Sequence, residues 1–571
     1  MHFLFDSYKG SIAPHYRAPA VLALLVGLHF LFYFLAQPNF IASDDLAYAR
    51  IAYAISEGSF KLNPYHFTNR FGVTIPTAVS YFVFGVNKYS TTFWPLLSSI
   101  LTIFLIFFIT SKIFDNKTAI FSSLLLTTNT YQIKSSMQLL PDIIVSMLLF
   151  GCVSALLVAR KKVLKKARRF YSIIVSLCFL LGILSKLTAL FILPFLTAIF
   201  ISDIYKKKNY DVWLWIFFSI VLLAFLYLGG YYVCTGEVMY RMKGVKSAVN
   251  DTTWSYIGKS YQTYIERLTY QPLQMIFREP GYVIALALSI PSFIMTLRSE
   301  SAWAENTIFF GGYAISILLC FWFFPTSFSH YSPLPLVSRY VLPMVPPLCI
   351  LGGVGLRQLF FDDLTNLESR TCLAALISLF FVICLTFESM LYFNTRVLVY
   401  SGFAIIFLIL VKCLLLQQQR TFIYLQKLVL ISLVCSFFVI PFYLILIKGT
   451  IGETRHEKVE REVLLRELSD LQESTIMFTD SRSLSAIPFY FGFELPPNVQ
   501  LIDWNELVNF NRQHIHKAFL FINKRRVQRS NRLYGYEIPG FVEIQPSSWN
   551  FLGGRDGIYL FDISNTVDLD K

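Results

Sequence analysis

The chain has 571 residues, of which 55% are hydrophobic and only 15% are charged, and its formal net charge is +14. Soluble domains usually contain about 25% charged residues, so this composition excludes an ordinary soluble protein and indicates lipid as the solvent for much of the chain. Positive charge can also mark nucleic-acid binding, but here much of it lies in short loops between apolar segments, where it indicates membrane orientation. We therefore expect membrane lipids as partners, and no nucleic acid.

The apolar segments predict an α-helical polytopic membrane domain over residues 1–447. Crossing a bilayer takes about 20 apolar residues, and about thirteen segments approach that length. The first is long for a signal peptide and lacks a small-residue cleavage site, so we interpret it as a retained span. The predicted spans are 20–36, 91–111, 117–133, 138–158, 170–184, 187–202, 212–233, 281–297, 306–324, 338–356, 371–392, 397–416 and 426–447.

The orientation follows from the lysine and arginine residues of the short loops. Loops 160–169 and 206–208 are strongly basic and are separated by two spans, so both lie on one side, which should be cytoplasmic. The N-terminus is then cytoplasmic, and loops 37–90 and 234–280 are external, as is segment 448–571.

Segment 448–571 differs in composition from the rest of the chain. It opens with a charged helical pattern over 453–473, and short strand-like runs then alternate with helical patterns. This alternation predicts a small extracytoplasmic α/β domain. The predicted strands are Thr475–Thr479, Val499–Ile502, Ala518–Ile522 and Gly557–Phe561.

Three carboxylates lie at the predicted external edge of the membrane. Asp44 and Asp45 follow the first span, and Asp142 follows Pro141 at the mouth of another. Each could simply begin a helix, where aspartate is favoured by capping and by the helix dipole. Carboxylates at a membrane edge are nevertheless costly unless they are paired or functional. A helix that begins at Asp44 would also turn the two adjacent acids in different directions.

Three cations share that external edge: Arg70, Lys186 and Arg339. Each alone could be a snorkelling side chain, but the positive-inside rule makes external cations scarcer. Arginine and lysine are the side chains that hold a phosphate, and a carboxylate can take the proton of an attacking hydroxyl. The external edge therefore has the residue types needed for chemistry on a lipid phosphate.

Two histidines, His66 and His330, are also predicted to be external. They could act as acid, base or phosphate donor, although a lone histidine is more often a satisfied polar residue. The sequence has no metal-binding or nucleotide-binding motif. We therefore expect no cofactor and no metal, with a divalent ion bound by carboxylates as an open alternative.

These residues occur in an order that resembles the GT-C superfamily of membrane glycosyltransferases, in particular the aminoarabinose transferases and protein O-mannosyltransferases. The resemblance covers roughly residues 20–360. In one segment the family often has Lys-Pro-Pro, and this chain has Arg70-Phe71-Gly72, which keeps the charge and loses the prolines. The matching stretches are Asp44–Ala52, Arg70–Gly85, Leu140-Pro141-Asp142, Gly182–Pro194 with Lys186, and Ser338-Arg339-Tyr340 with Pro343 and Pro346.

The resemblance implies a polyprenyl-phosphate sugar donor, an external active site and inversion at the sugar carbon. It implies Asp44 as the base or acceptor-orienting acid, with Asp45 and Asp142 shaping the site. The acceptor would be a glycolipid such as lipid A, a polysaccharide or a protein, and the location a bacterial plasma membrane. The residues that would bind the donor and its phosphate are Arg70, Lys186, Arg339, His66, His330 and Tyr340.

Two other functions stay open on the sequence. A lipid-linked glycan flippase or another transporter also needs many spans, but it should place polar residues and broken helices near the bilayer midplane. A polysaccharide polymerase or ligase would share the external face and the carrier lipid. Only the order of the motifs favours the glycosyltransferase over the polymerase or ligase.

Overall fold

The computed structural model describes residues 17–41, 43–249, 256, 258–296, 302–325, 331–361, 438–447, 449, 451–469, 471–509, 517–524, 526–528, 549–554 and 557–564. The helices before the terminal segment are α1 (Arg17–Ala36), α2 (Asp44–Ser56), α3 (Phe71–Phe84), α4 (Lys88–Ile113), α5 (Asn116–Thr127), α6 (Thr130–Ser136), α7 (Pro141–Lys161), α8 (Lys165–Ser185), α9 (Leu193–Tyr205), α10 (Tyr210–Thr235), α11 (Tyr240–Val249), α12 (Tyr261–Thr269), α13 (Gln271–Phe277), α14 (Pro280–Thr296), α15 (Ala302–Phe323) and α16 (Val345–Phe361). Two 3₁₀ helices, Leu187–Ile192 and Ser338–Met344, lead into α9 and α16.

The predicted helical polytopic fold is confirmed. Within the described residues, eight helices are long and apolar enough to cross a membrane, or nine if one bent pair counts as a single span. All eight coincide with predicted spans. Predicted spans 371–392 and 397–416 lie outside the described residues, as does the first part of 426–447. The eight helices are Ala18–Ala36, Lys88–Ile113, Pro141–Lys161, Lys165–Ser185, Leu187–Tyr205, Tyr210–Thr235, Trp303–Phe323 and Ser338–Gln358.

The predicted span 117–133 is wrong as a single helix. It is divided into α5 and α6, which have 12 and 7 residues. The side chain of Asn129 causes the division, because its oxygen accepts hydrogen bonds from the backbone N–H groups of Tyr131 and Gln132. Its amide nitrogen donates to the carbonyl of Gly281, 2.8 Å away. An N-cap of this kind begins a new helix, which an apolar periodicity cannot detect.

Ion pairs define one end of the helix bundle, here called the basic end. Arg160, at the end of α7, donates to both oxygens of Asp203 in α9, at 2.9 and 2.7 Å. Arg168, near the start of α8, donates to Asp211 near the start of α10, at 2.5 Å. The predicted cytoplasmic loops 160–169 and 206–208 therefore lie at the same end of the bundle. The opposite termini of α7 and α8 form the other end, here called the site end.

Helix α7 is the centre of the bundle, since almost all its side chains are buried. It packs against α4, α8 and the 3₁₀ helix Ser338–Met344. Its sequence is apolar on every face, which is the pattern expected of a helix surrounded by other helices. Pro141 occupies the first helical turn, where its missing N–H costs nothing. The start of α7 is therefore fixed at the site end.

The terminal segment contains the predicted α/β domain. A five-stranded sheet has the order β2-β1-β3-β5-β4, in which β1, β2 and β3 are parallel and β5 runs antiparallel to both β3 and β4. The four predicted strands are confirmed, and the short strand β4 was missed. The elements are α17 (Arg455–Leu468), β1 (Thr475–Thr479), α18 (Ser481–Tyr490), β2 (Val499–Asp503), a 3₁₀ helix (Trp504–Asn509), β3 (Lys517–Asn523), β4 (Asn550–Gly553) and β5 (Ile558–Asp562).

This terminal domain rests on α2, the helix that begins with the two adjacent acids. Arg50 of α2 donates to the backbone carbonyl of Ser485 in α18, at 2.6 Å. Phe40, in the segment before α2, stacks on Phe489 with ring centroids 3.7 Å apart. The terminal domain therefore lies at the site end, and α2 is held between it and the membrane helices.

Candidate active site

The two adjacent acids at the start of α2 have different surroundings, as predicted from their spacing. Asp45 is buried, and its carboxylate accepts backbone N–H bonds from Ile41 (2.6 Å), Ser43 (2.6 Å) and Leu46 (3.0 Å). Burial raises its pKa, and the three N–H groups oppose that rise. Asp45 therefore shapes the loop that enters α2, and Asp44 is the one that faces the cluster of acids and cations.

Arg339 joins Asp44 to Asp142 across the site end. Its Nη2 lies 2.8 Å from Oδ2 of Asp44, and its Nε lies 3.8 Å from Oδ2 of Asp142. The 3₁₀ helix Ser338–Met344 carries Arg339 beside the start of α7. Among the described residues, the hydrogen bond from Arg339 is the one side-chain partner of the Asp44 carboxylate, so its second oxygen is open to another donor.

Lys186 and Asp142 form the buried part of the cluster. Lys186 Nζ lies 2.6 Å from Oδ1 of Asp142, and both side chains are less than 10% exposed. Lys186 is an extended residue between the end of α8 and the following 3₁₀ helix, which brings its chain end next to the first turn of α7. The Lys186 ammonium also lies 3.9 Å from the ring centroid of Tyr340. A buried pair of this kind is tolerated when each charge has a partner.

Arg70 lies near Lys186 and makes no ion-pair contact with the described acids of the cluster. Its guanidinium hydrogen-bonds the hydroxyl of Tyr48, which is fully buried in α2, and lies 5.0 Å from the ring centroid of Phe67. Arg70 precedes the first residue of α3. The guanidinium is therefore anchored by a neutral hydroxyl and aromatic faces, and no carboxylate of the described residues contacts it.

Of the two candidate histidines, His66 and His330, the structure describes His66. The His66 ring lies 4.0 Å from the ring of Phe67, and burial, helped by the charge of Arg70, lowers its pKa to about 4. It is therefore neutral at physiological pH. His330 lies outside the described residues. Across the ranges that the structure describes, no group of three or more metal-ligating side chains occurs.

Two residues of this region were missed from the sequence. Tyr48 has no role in the sequence analysis beyond its place in the stretch Asp44–Ala52, yet its hydroxyl accepts a hydrogen bond from Arg70. Glu279 accepts a hydrogen bond from the Ser338 hydroxyl at 2.9 Å, so a further carboxylate contacts the residue that precedes Arg339. Its position between α13 and α14 gave no periodic signal, although an acid directly before Pro280 in a predicted external loop was visible in the sequence.

The arrangement brings three cations together. Arg339 and Lys186 contact Asp44 and Asp142, and Arg70 adds a guanidinium that contacts no carboxylate of the described residues. Such a site can bind a phosphate anion, because guanidinium and ammonium groups form the strongest hydrogen bonds with charged oxygens. It also contains a partly exposed carboxylate, Asp44, which can accept a proton.

Comparisons with known proteins agree with the fold. A family model described as dolichyl-phosphate-mannose-protein mannosyltransferase matches residues 75–228. A crystal structure of ArnT from Cupriavidus metallidurans in the apo state matches 96% of this chain and 99% of its own, with 15% identity and a TM-score of 0.57. The same protein bound to undecaprenyl phosphate matches 97% of this chain and 99% of its own, with 15% identity and a TM-score of 0.58. No curated protein sequence matches the chain at a significant level.

Proposed function

We propose that this chain, which has the fold of the GT-C superfamily of membrane glycosyltransferases, transfers a sugar from a polyprenyl-phosphate carrier to an acceptor outside a bacterial plasma membrane. The observation that carries the proposal is the contact of Asp44 and Asp142 with Arg339 and Lys186 at the site end. A partly exposed carboxylate beside three cations suits a reaction in which a lipid phosphate leaves while a hydroxyl attacks.

In the proposed reaction Asp44 is the base. The open oxygen of its carboxylate takes the proton of the acceptor hydroxyl as that oxygen bonds to the anomeric carbon of the sugar. The bond from this carbon to the phosphate oxygen breaks on the opposite face, so the configuration inverts, and the electron pair leaves with the polyprenyl phosphate. Arg339, Lys186 and Arg70 stabilise the charge of that leaving phosphate. Asp142 keeps Lys186 in place.

The carrier lipid is supported from two directions. The matching family description names dolichyl-phosphate-mannose as a donor, and one of the similar ArnT structures is bound to undecaprenyl phosphate. Both lipids are polyprenyl phosphates. We infer the same donor class for this chain, with a hexose or a pentose as the sugar and a glycolipid, a polysaccharide or a protein as the acceptor.

Reconstitution in liposomes tests the proposal. The purified protein is supplied with polyprenyl-phosphate-linked sugar and membrane extract, and mass spectrometry detects glycosylated product. Arg339→Gln should reduce transfer by about 10-fold to 100-fold, because one charge-assisted hydrogen bond contributes about 1.5–3 kcal/mol. Arg339→Lys keeps the charge and should retain more activity.

The same assay distinguishes the rival functions. Movement of the carrier lipid across the bilayer without any product would support a flippase and contradict the proposal. Elongation of the carrier-linked glycan itself would support a polymerase or ligase. Comparison of surface glycolipids and glycoproteins from cells with and without the protein would then identify the acceptor.

A further inference from the structure

The 3₁₀ helix Ser338–Met344 gives Arg339 little support of its own. A 3₁₀ helix has poorer hydrogen-bond geometry than an α-helix, and this one contains Pro343, which has no backbone N–H to donate. The contact of Arg339 with Asp142 is also incomplete. Nε of the arginine and Oδ2 of the aspartate are both buried, lie 3.8 Å apart and have no hydrogen-bond partner among the described residues. The direction of the guanidinium therefore depends on where the backbone beside it is held.

The residue before Arg339 is held at two points by the start of α14. The Ser338 hydroxyl donates to Oε1 of Glu279 at 2.9 Å. The backbone carbonyl of Ser338 accepts from the hydroxyl of Tyr282, which is fully buried, at 2.8 Å. The backbone N–H of Tyr282 donates to the carbonyl of Glu279, so both belong to one helical turn. A side-chain contact and a main-chain contact to the same turn together fix the position and the rotation of residue 338.

The start of α14 is itself anchored. Asn129, which divides α5 from α6, donates to the carbonyl of Gly281 at 2.8 Å. A Cβ atom at Gly281 would come within 2.7 Å of the Asn129 side-chain oxygen, so the glycine allows this close approach. The rings of Tyr131 and Tyr282 also lie together, with centroids 5.1 Å apart. The chain that carries Arg339 is therefore tied through α14 to the break between α5 and α6.

We propose that Ser338 and Glu279 are positioning residues for Arg339, which act by aiming its guanidinium at Asp44. The inference rests on the proposed transfer reaction, in which Arg339 stabilises the leaving phosphate. Stabilisation of this kind depends on preorganised geometry, and a misplacement of about 1 Å can cost about 100-fold in rate. Loss of the Ser338 hydroxyl should therefore weaken the effect of Arg339 without removing its charge.

The liposome transfer assay tests this role through a double-variant cycle. Ser338→Ala should lower the transfer rate by about threefold to 30-fold, as expected for the loss of one hydrogen bond to a charged group. In the Arg339→Gln background the same change should cost less than about twofold, because the residue that it positions is already replaced. Glu279→Gln keeps an acceptor oxygen and should retain most of the activity, whereas Glu279→Ala should behave like Ser338→Ala.

Ser146→Ala is the matched control. The Ser146 hydroxyl is buried in α7 and donates to the carbonyl of Leu342, in the same 3₁₀ helix, at 3.3 Å. Its loss also removes a contact of this helix, but not one made by the residue next to Arg339. The transfer rate per folded molecule should stay within about twofold of wild type, which is less than 1 kcal/mol. Equal losses from Ser338→Ala in wild type and in Arg339→Gln, or from Ser146→Ala and Ser338→Ala, would overturn the positioning role.

A second measurement separates this result from the proposed function. In thermal unfolding, Asp44→Asn should lower the midpoint less in Ser338→Ala than in wild type, because a displaced Arg339 no longer holds the Asp44 carboxylate. This cycle needs no transfer activity. An inactive wild type would overturn the proposed function, and the unfolding cycle would still decide the positioning role, which equal midpoint shifts in the two backgrounds would contradict.

Discussion

Asp44→Asn and Asp45→Asn should damage different properties of the protein. Asp44→Asn keeps the shape of the side chain and removes its basicity, and positioned general-base catalysis contributes about 10²–10⁴-fold in rate. The substitution also removes the negative partner of Arg339, whose Nη2 lies 2.8 Å from the carboxylate. The released guanidinium can bind the donor phosphate at least as well as before. We therefore expect kcat to fall by about 10²–10⁴-fold, while KM for the carrier-linked donor stays unchanged or falls.

Asp45→Asn should lower stability rather than the rate. The carboxylate accepts three backbone N–H bonds, whereas an amide has one acceptor oxygen and a nitrogen that donates. At least one N–H group then loses its partner in a buried place, which costs about 1–3 kcal/mol. The thermal unfolding midpoint should fall, and the transfer rate per folded molecule should stay within about tenfold of wild type, a change of 1.4 kcal/mol.

Both variants are measured together, with kcat and KM from the liposome transfer assay and unfolding midpoints from the same preparations. The paired design separates a catalytic loss from a folding loss, because the two acids are adjacent and chemically identical. If Asp44→Asn retained near-normal kcat, the carboxylate would be a helix-start residue paired to Arg339, and the base would have to be sought at Asp142 or His66.

Three further predictions use the same protein. Lys186→Gln and Asp142→Asn should each destabilise the protein by about 3–5 kcal/mol, and the double variant by less than their sum, since breaking a buried pair leaves one charge uncompensated; additive losses in thermal unfolding would contradict the pairing. In a cysteine-free background in intact cells, a membrane-impermeant thiol reagent should label Asn505→Cys and spare Leu164→Cys, and the reverse would invert the assigned orientation. Burial raises the pKa of Glu457 to about 7, so the folded state holds this proton more tightly than the unfolded state does. The free energy of unfolding should therefore fall by about 1–3 kcal/mol from pH 4.5 to 7.5, and the variant Glu457→Gln, which cannot titrate at this position, should not show this loss.

The sequence predicted the elements of the chain better than their contacts. Apolar length located the eight confirmed spans, and alternation located four strands of the terminal sheet. The missed strand β4 has only four residues and ends in glycine, so it carried little alternation. The contact of Asp44 with Arg339 joins positions 295 residues apart, and a single sequence contains no signal for such a pairing beyond the complementary charges.

The roles of buried polar residues were also not predicted from the sequence. Arg267 lies in a short amphipathic helix of a polar loop, where an arginine is normally solvent-exposed, yet its side chain is fully buried and donates to the backbone carbonyls of Phe321 and Leu334. The hydrogen bond from Arg70 to Tyr48 depends on how α3 packs against α2. Such roles follow from tertiary contacts, which local periodicity does not encode.

The packing of α3 explains the departure of this chain from the Lys-Pro-Pro pattern. Gly72 lies so close to the end of α8 that a Cβ atom there would come within 2.2 Å of the Ser185 hydroxyl oxygen and 2.9 Å of the Ser185 backbone nitrogen. A proline ring at this position would therefore push α3 away from α8. Ser185 precedes Lys186, so this close approach brings the helix that begins after Arg70 next to the residue carrying the buried ammonium. The loss of the proline thus allows two cation-bearing segments to pack together, and the arginine that replaces the family lysine stays beside the other cations of the site.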